Sequence, residues 1–306
     1  MAKRKVRLSI IILSWNTKTL LRQCLRSVIG DQLSVTSKEK PTAGNRSLIT
    51  EIIVVDNGSS DGSPQMVKKE FPQVKLIENL RNLGFAKGNN IGIKVAKGEY
   101  IMLLNSDTIV KPGALEKLTR FLDKNQEFAI AGPRLLNQDE TSQPNCGRFP
   151  GLLVSFVMLF KEHLGGSDFV RCSPKESKKV DWLMGSAFVA RSEVFEKVGG
   201  LDEKLFMYME EVEWFYRAKK AAFKAYFLKE AEIIHLGRGS SKSGKREPIL
   251  NIYRGLIYYY RKHKSLPELI ILLAMLKLKA AFALIIGWIK NDNYLKETYG
   301  QALKIN

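Results

Sequence analysis

The sequence predicts an α/β fold: a mostly parallel sheet with helices on both faces, followed by a helical C-terminal extension. Two observations carry this expectation. Strand-length apolar runs alternate with helical patterns through the first half of the chain, which is the mark of βαβ units. The final quarter changes character, passing from the basic, aromatic "NIYRGLIYYYRKHKS" into about 25 mostly apolar residues, "LPELIILLAMLKLKAAFALIIGWIK". The division falls near residue 240, with an α/β unit over 1–240, whose halves meet near 110–111, and a basic, amphipathic helical extension over 241–306.

In chain order, the first strand is "LSIIILS" (8–14). The opening "MAKRKVRLSIIILSWN" imitates a secretion signal, with a basic head before an apolar run. That run is only about seven residues, lacks a small-residue cleavage site and ends in Trp15-Asn16, so a buried strand is the better reading. Further strands are "EIIVVD" (51–56), "VKLIE" (74–78) and "YIMLLN" (100–105), with helices expected at about 17–29, 62–71, 85–97 and 112–124. Residues 31–50 read as a polar exposed loop. Residues 133–180, punctuated by Pro133, Pro144, Pro150 and Pro174, read as irregular. A strand at 186–190, helices near 191–197 and 209–221, and two short strands at 224–228 and 232–236 complete the α/β unit. The apolar tail is long enough to span a bilayer. However, Lys277 and Lys279 lie near its middle, and each would cost roughly 2.5–3.5 kcal/mol at the bilayer centre. A helix lying on a membrane surface, or one that packs on the α/β unit and completes its core, fits better.

Composition narrows the class. Forty-nine Lys+Arg against 31 Asp+Glu give a net charge of +18, a field that favours anionic partners. The basic residues are spread along the chain rather than interleaved with aromatics on one recognition surface, which argues against a nucleic-acid binder. Cys24, Cys146 and Cys172 show no metal-ligand spacing and read as reduced thiols of a cytoplasmic protein. The segment "GSSKSGKR" (239–246) nearly matches a phosphate loop, but Arg246 stands where a hydroxyl is required and Pro248 follows. No G-x-G-x-x-G follows the first strand, and there is no H-E-x-x-H or G-x-S-x-G.

Ligands of open parallel sheets collect beyond the carboxyl ends of the strands. Those ends carry Asn16, Asp56-Asn57 and Asn105-Ser106-Asp107. Within "DNGSSDGS" (56–63) Asp56 could accept hydrogen bonds from a base or ribose, or the segment could be only a turn with a helix cap. In "NLRNLGFAKGNNIGIKVAKG" (79–98), Asn82 and Asn89 are candidates for polar contacts, and Gly88 and Gly92 fit close helix–sheet packing. Asp107 could hold a divalent cation and, through it, a diphosphate. Glu210, Glu211 and Glu213 cluster at a helix start, where they could complement the helix dipole or supply a base in a partly dry cleft. His235 ends a strand-like "EIIH" and taken alone is as well explained by structure.

Taken together and in order, "LSIIILSWN", "EIIVVDNGSSDGS", "NLGFAKGNNIGI", "GEYIMLLNSDT", "DWLMGSAFVARSEVFEKVGGLDEKLFMYMEEVEWFYR" and the His235 region resemble the family 2 glycosyltransferases of GT-A fold, in the branch of bacterial rhamnosyltransferases. The resemblance covers about residues 7–240. It implies a GT-A catalytic domain over 1–240, with a nucleotide-binding half at 1–110 and an acceptor half at 111–240. It implies an inverting transfer of a sugar to a hydroxyl of a glycan or polyprenyl-diphosphate-linked acceptor. dTDP-L-rhamnose is the favoured donor and a UDP-sugar the alternative.

By position Asp56 matches the base-contacting aspartate. Asp107 matches the last acid of the D-x-D motif and, with His235, a site for Mg²⁺ or Mn²⁺. Asn105 replaces the first acid of that motif. Glu211 matches the catalytic base, with Glu210 the alternative. Asp181, Trp182 and Asp202 match acceptor-side positions. Trp15, Asn16, Asn57, Asn82, Gly84, Asn89, Asn105 and Ser106 join Asp56 and Asp107 in the expected nucleotide-sugar site. The Asn105 and Glu-Glu departures also leave room for an inactive scaffold. The expected location is cytoplasmic, with contact on the inner membrane face if the C-terminal helix lies on lipid.

Overall fold

A computed structural model describes residues 6–36, 49–164, 170–237 and 246–306. The first half is built from β1 (Leu8–Ser14), α1 (Lys18–Thr36), β2 (Thr50–Asp56), α2 (Ser63–Glu70), β3 (Lys75–Glu78), α3 (Phe85–Val95) and β4 (Tyr100–Asn105). There follow β5 (Thr108–Val110), α4 (Ala114–Lys124), β6 (Ile130–Leu136), β7 (Ser142–Gln143), β8 (Cys146–Gly147) and α5 (Leu152–Leu164). Next come β9 (Arg171–Cys172), β10 (Lys178–Val180), β11 (Trp182–Leu183), β12 (Ala187–Arg191), α6 (Ser192–Val198), α7 (Glu210–Lys220) and β13 (Ala225–His235). The chain closes with α8 (Arg246–His263), α9 (Leu266–Ile289) and α10 (Asn293–Ala302).

The expected α/β architecture is present. The large sheet runs β10-β13-β6-β12-β4-β1-β2-β3. The four strands from the first half are parallel, β12 lies antiparallel between β4 and β6, and β13 returns parallel to β6. β1 can be apolar at Ile10, Ile11 and Ile12 because helices cover both faces. One core joins Leu21, Leu25 and Leu118 from α1 and α4; the other joins α3, α7 and α8 through Ala86, Trp214 and Tyr259. The second core runs across residue 240 without a break. Register sets Ser14 beside Asp56 and Leu13 beside Asn105, so three polar strand ends finish level.

Close approach of α3 to the sheet explains its glycines. A Cβ on Gly92 would sit 2.5 Å from Ile11 Cγ2 and 3.3 Å from Val55 Cγ2, and one on Gly88 would strike Leu13 Cδ1. The packing reading of these two residues therefore holds.

Three expectations need correction. Residues 31–36 are not loop but the last turns of α1, and Asp31 is buried, accepting from the Leu115 amide at 3.3 Å and from the Gly113 amide at the open start of α4. Residues 37–48 of the expected loop lie outside the described residues, as does nearly all of the phosphate-loop-like segment. Residues 133–180 are not irregular throughout, since "LLVSFVMLFKEHL" forms α5. Pro150 stands just before that helix instead of breaking it, and apolar residues on both its buried and exposed sides, Leu159 against Leu153 and Phe156, erase the usual amphipathic signal. The two strands at 224–228 and 232–236 are one strand, β13. The polar Lys229-Glu230 looks like a turn but is absorbed by a register shift between Leu228 and Glu232.

The C-terminal extension packs on the α/β unit and completes its core, as one of the two readings expected, and it leaves an apolar face of α9 exposed. Tyr259 and Tyr260 of α8 are fully buried, and Leu272, Leu276, Ala280 and Ala283 of α9 line one inward stripe. On the other side of α9, Ile270, Leu278, Phe282, Ile285 and Trp288 are exposed. Lys277 avoids that face: its ammonium donates to the carbonyls of Leu303 and Ile305, the latter at 3.0 Å.

Candidate active site

The site grows from the level strand ends. Asp56 closes β2 just before Gly58, whose φ of +76° makes the turn. Its Oδ2 accepts from the amides of Gly58 (3.1 Å) and Ser59 (2.8 Å), while Oδ1 is buried without a partner. A buried acceptor left unmade is costly and marks a place for a donor from outside the chain. Asn57 donates to Asn82 Oδ1 and to the Gly84 carbonyl, both at 3.1 Å, and accepts from Asn79 at 3.0 Å. Asn16, at φ 53°, accepts from the Ser60 amide at 2.8 Å and so clamps the same turn.

Beyond β4, the Ser106 hydroxyl lies 2.9 Å from Thr17, which lies 3.0 Å from Ser14, forming a buried chain of three hydroxyls. Asp107 Oδ1 stands 3.4 Å from His235 Nε2. Gln143 fixes the imidazole. Its Nε2 donates to Asn137 Oδ1 and the His235 carbonyl, which leaves Oε1 to accept from His235 Nδ1–H at 2.7 Å. In that tautomer Nε2 is an electron-pair donor standing beside a carboxylate oxygen, the pairing of ligand atoms a cation takes. The donor set therefore fits a hard divalent cation. No third His, Cys, Asp or Glu joins it among the described residues, as suits cations whose other ligands are phosphates and waters.

Across the cleft, α7 begins with Glu210 and Glu211. The preceding Tyr208 (φ 69°) and Met209 (φ 72°) both adopt the left-handed conformation that side chains disfavour. Burial pushes the Glu210 carboxyl well above the usual range, with the neighbouring Glu211 adding to it, and its Oε2 has no partner. Burial also raises Glu211, against helix amides, the Arg171 charge and the Gly185 amide, which hold it down. Arg171 is fixed by the Pro144 carbonyl at 2.7 Å. Glu213, one turn on, faces inward instead and pairs with Arg217, Lys262 and His263.

Many of these groups meet at one cavity of about 510 Å³. Trp15, Asn57, Asn82, Gly84, Asn105, Ser106, Asp107 and His235 line it with Glu210 and Glu211. Asp56 and Asn16 sit at the adjoining turn, outside its lining. Asn89 is buried in α3 and donates to Phe85 O at 3.0 Å. Asp181 and Asp202 are not brought to the cavity: the first pairs with Lys219 at 3.0 Å, the second with Lys262 and Tyr258, both at 2.6 Å. Trp182 donates to the Arg148 carbonyl at 2.9 Å, also outside the lining. Sequence reasoning missed Thr17, Gly185, Tyr208 and Asn251, which line the cavity. Thr17, next to Trp15-Asn16, and Tyr208, next to the glutamates, carried a local signal; Gly185 and Asn251 arrive from other segments.

A family model described as Glycosyl transferase family 2 matches residues 9–199. An N-acetylglucosaminyl-diphospho-decaprenol L-rhamnosyltransferase of Mycobacterium tuberculosis is 27% identical over 220 residues, covering 62% of this chain and 68% of that protein. The dTDP-rhamnosyl transferase RfbF of Shigella flexneri is 28% identical over 188 residues, 60% of this chain and 59% of RfbF. Among solved structures, GalNAc-T7 with UDP, GalNAc and Mn²⁺ superposes with a TM-score of 0.58 at 18% identity, over 84% of this chain and 50% of that one. With a family match that spans more than half of its length, the chain belongs to the family 2 glycosyltransferases.

Proposed function

We propose that this protein is an inverting glycosyltransferase of cell-envelope polysaccharide synthesis. It moves a sugar from a nucleotide sugar to a hydroxyl of a glycan or polyprenyl-diphosphate-linked acceptor. L-rhamnose from dTDP-L-rhamnose is the favoured donor, in keeping with the names of the rhamnosyltransferases it resembles. The observation that carries this reading is that Asp107 with His235 and Glu210 with Glu211 line one cavity, so diphosphate-binding and base functions can flank a single sugar.

In this reading the Asp56 turn receives the base, and Asn57, Asn82 and Ser106 receive polar groups of the nucleotide sugar. A divalent cation, Mg²⁺ or Mn²⁺, held by Asp107 and His235, would supply positive charge against the diphosphate leaving group. Glu211 takes the proton of the acceptor hydroxyl, and that oxygen attacks the anomeric carbon from the face opposite the diphosphate. The new C–O bond forms as the old one breaks, the nucleoside diphosphate leaves with the bonding pair, and configuration inverts. A raised glutamate pKa suits the role, because a base nearer neutrality is a better proton acceptor.

The α9 face supports peripheral contact with an anionic bilayer. It is an exposed apolar stripe, and residues 241–306 carry twelve Lys+Arg against four Asp+Glu, the sign that matches anionic lipid.

The function is tested by thermal shift with a panel of nucleotide sugars, with and without Mn²⁺. Stabilisation by one nucleotide sugar, strengthened by Mn²⁺, is the expected result. No stabilisation by any member would remove the reading.

A further inference from the structure

A second cavity, of about 480 Å³, opens beside the first. The two share Phe206, Met207, Glu247 and Asn251 as walls. What distinguishes the second is its charge, since Lys204, Arg254 and Arg261 line it. Asn251, Arg254, Tyr258 and Arg261 follow one another at steps of three, four and three residues, so they share one face of α8. Arg254 spends one N–H on Asn251 Oδ1 at 3.0 Å. Neither Arg254, Arg261 nor Lys204 has an ion-pair partner among the described residues. The neighbouring Lys262 behaves differently, being engaged by Asp202 at 2.6 Å and Glu213 at 2.8 Å. Against the three cations the lining sets one acidic side chain, Glu247, on the shared wall.

We propose that this cavity binds the diphosphate of a lipid-diphosphate-linked acceptor sugar. The inference rests on the glycosyltransferase reading and names the substrate class of its acceptor side. An acceptor sugar whose hydroxyl meets Glu211 leaves its own anomeric phosphate on the far side of its ring, away from the donor diphosphate. The cationic cavity lies beyond the shared wall, where Phe206, more than half exposed, offers a ring for the sugar to stack on. Guanidinium groups match phosphate oxygens through paired N–H donors. Two arginines two turns apart on one helix can reach successive phosphates.

Calorimetric titration of the full chain tests this, using farnesyl diphosphate and inorganic pyrophosphate as probes, in the presence of a saturating nucleoside diphosphate that fills the donor site. Farnesyl diphosphate is expected to bind under these conditions and to bind more tightly than pyrophosphate. R254A/R261A should weaken it roughly tenfold or more, the loss of one or two charge-assisted contacts, while R254K/R261K, which keeps the charge but not the paired N–H donors, should recover only part of the affinity. Both arginines are exposed, so the variants should melt like the parent. Competition between farnesyl diphosphate and the nucleoside diphosphate would overturn the proposal, as would unchanged binding by the alanine variant. Equal affinity for pyrophosphate would overturn the lipid-linked assignment in favour of free phosphate. If nucleotide sugars still stabilise the protein in any of these cases, only this inference falls; if none does, the glycosyltransferase reading falls first.

Discussion

Glu210 and Glu211 are neighbours in sequence, yet they answer to different surroundings. Glu211 has the Gly185 amide and the Arg171 charge to favour its ionised form, while Glu210 has only the amide of its own residue against burial and a like charge. Replacing Glu211 by Gln should lower transfer by roughly 10²–10⁴-fold, the usual worth of a general base, with nucleotide-sugar binding by calorimetry nearly intact. In the role proposed for it Glu211 must be ionised, so the rate should climb with pH through a limb lying above the ordinary glutamate value. Stability has the opposite sign at Glu210. A carboxyl whose folded-state pKa is raised stabilises the fold most below its unfolded value, and that contribution is lost as pH rises through the folded value. Glu210→Gln should therefore gain stability over the parent as urea denaturation is moved from acid to neutral pH. At Asp202 burial is outweighed by hydrogen bonds from Lys262 and Tyr258, which bring the carboxyl down to about 2. Its contribution is present above the ordinary aspartate range and fades as pH falls toward that value.

At the scale of elements, α3 shows how two glycines let a helix lie close on a sheet. Gly92→Leu would drive a side chain into Ile11 and Val55, and overpacking of this kind costs roughly 1–3 kcal/mol, readable as a lower urea midpoint. The exposed stripe of α9 predicts that Phe282→Ser with Trp288→Ser lowers co-sedimentation with phosphatidylserine vesicles roughly tenfold or more, with melting temperature retained since both residues face outward. These elements also show what was legible in advance. β1, β2 and β4 announce themselves because burial on both faces demands unbroken apolar runs. α5 did not, because contact with α9 on one side and an apolar exposed side on the other removed its period. The bulge in β13 hid one strand as two, since Lys229 and Glu230 satisfy the local grammar of a turn.

For the whole molecule, the cavity residues on consecutive strand ends follow from one topological rule, while Asn82, Gly84, Glu210, Glu211 and His235 were singled out by the ordered motifs. Arg171, Gln143 and Asn251 were not legible, because each reaches the site through a long-range contact that no local pattern encodes. The same is true of the join at residue 240. Although composition changes there, Tyr259 and Tyr260 of α8 are fully buried, in one cluster with Trp214 and Phe215, and Glu213 of α7 is held by Lys262 and His263 of α8. Residues 1–240 expressed alone should consequently lose cooperative unfolding, whereas the full chain should show coincident transitions by fluorescence and circular dichroism. One small notch in this join reaches the chemistry. Gly255 on α8 leaves room for Met209, and a Cβ there would come within 2.8 Å of Met209 Cβ and 3.3 Å of the Tyr208 carbonyl. Those are the two left-handed residues that aim the glutamates. The extension thus backs the bent entry to the glutamate helix, and a single methyl group added at Gly255, which carries no reacting group, should slow turnover.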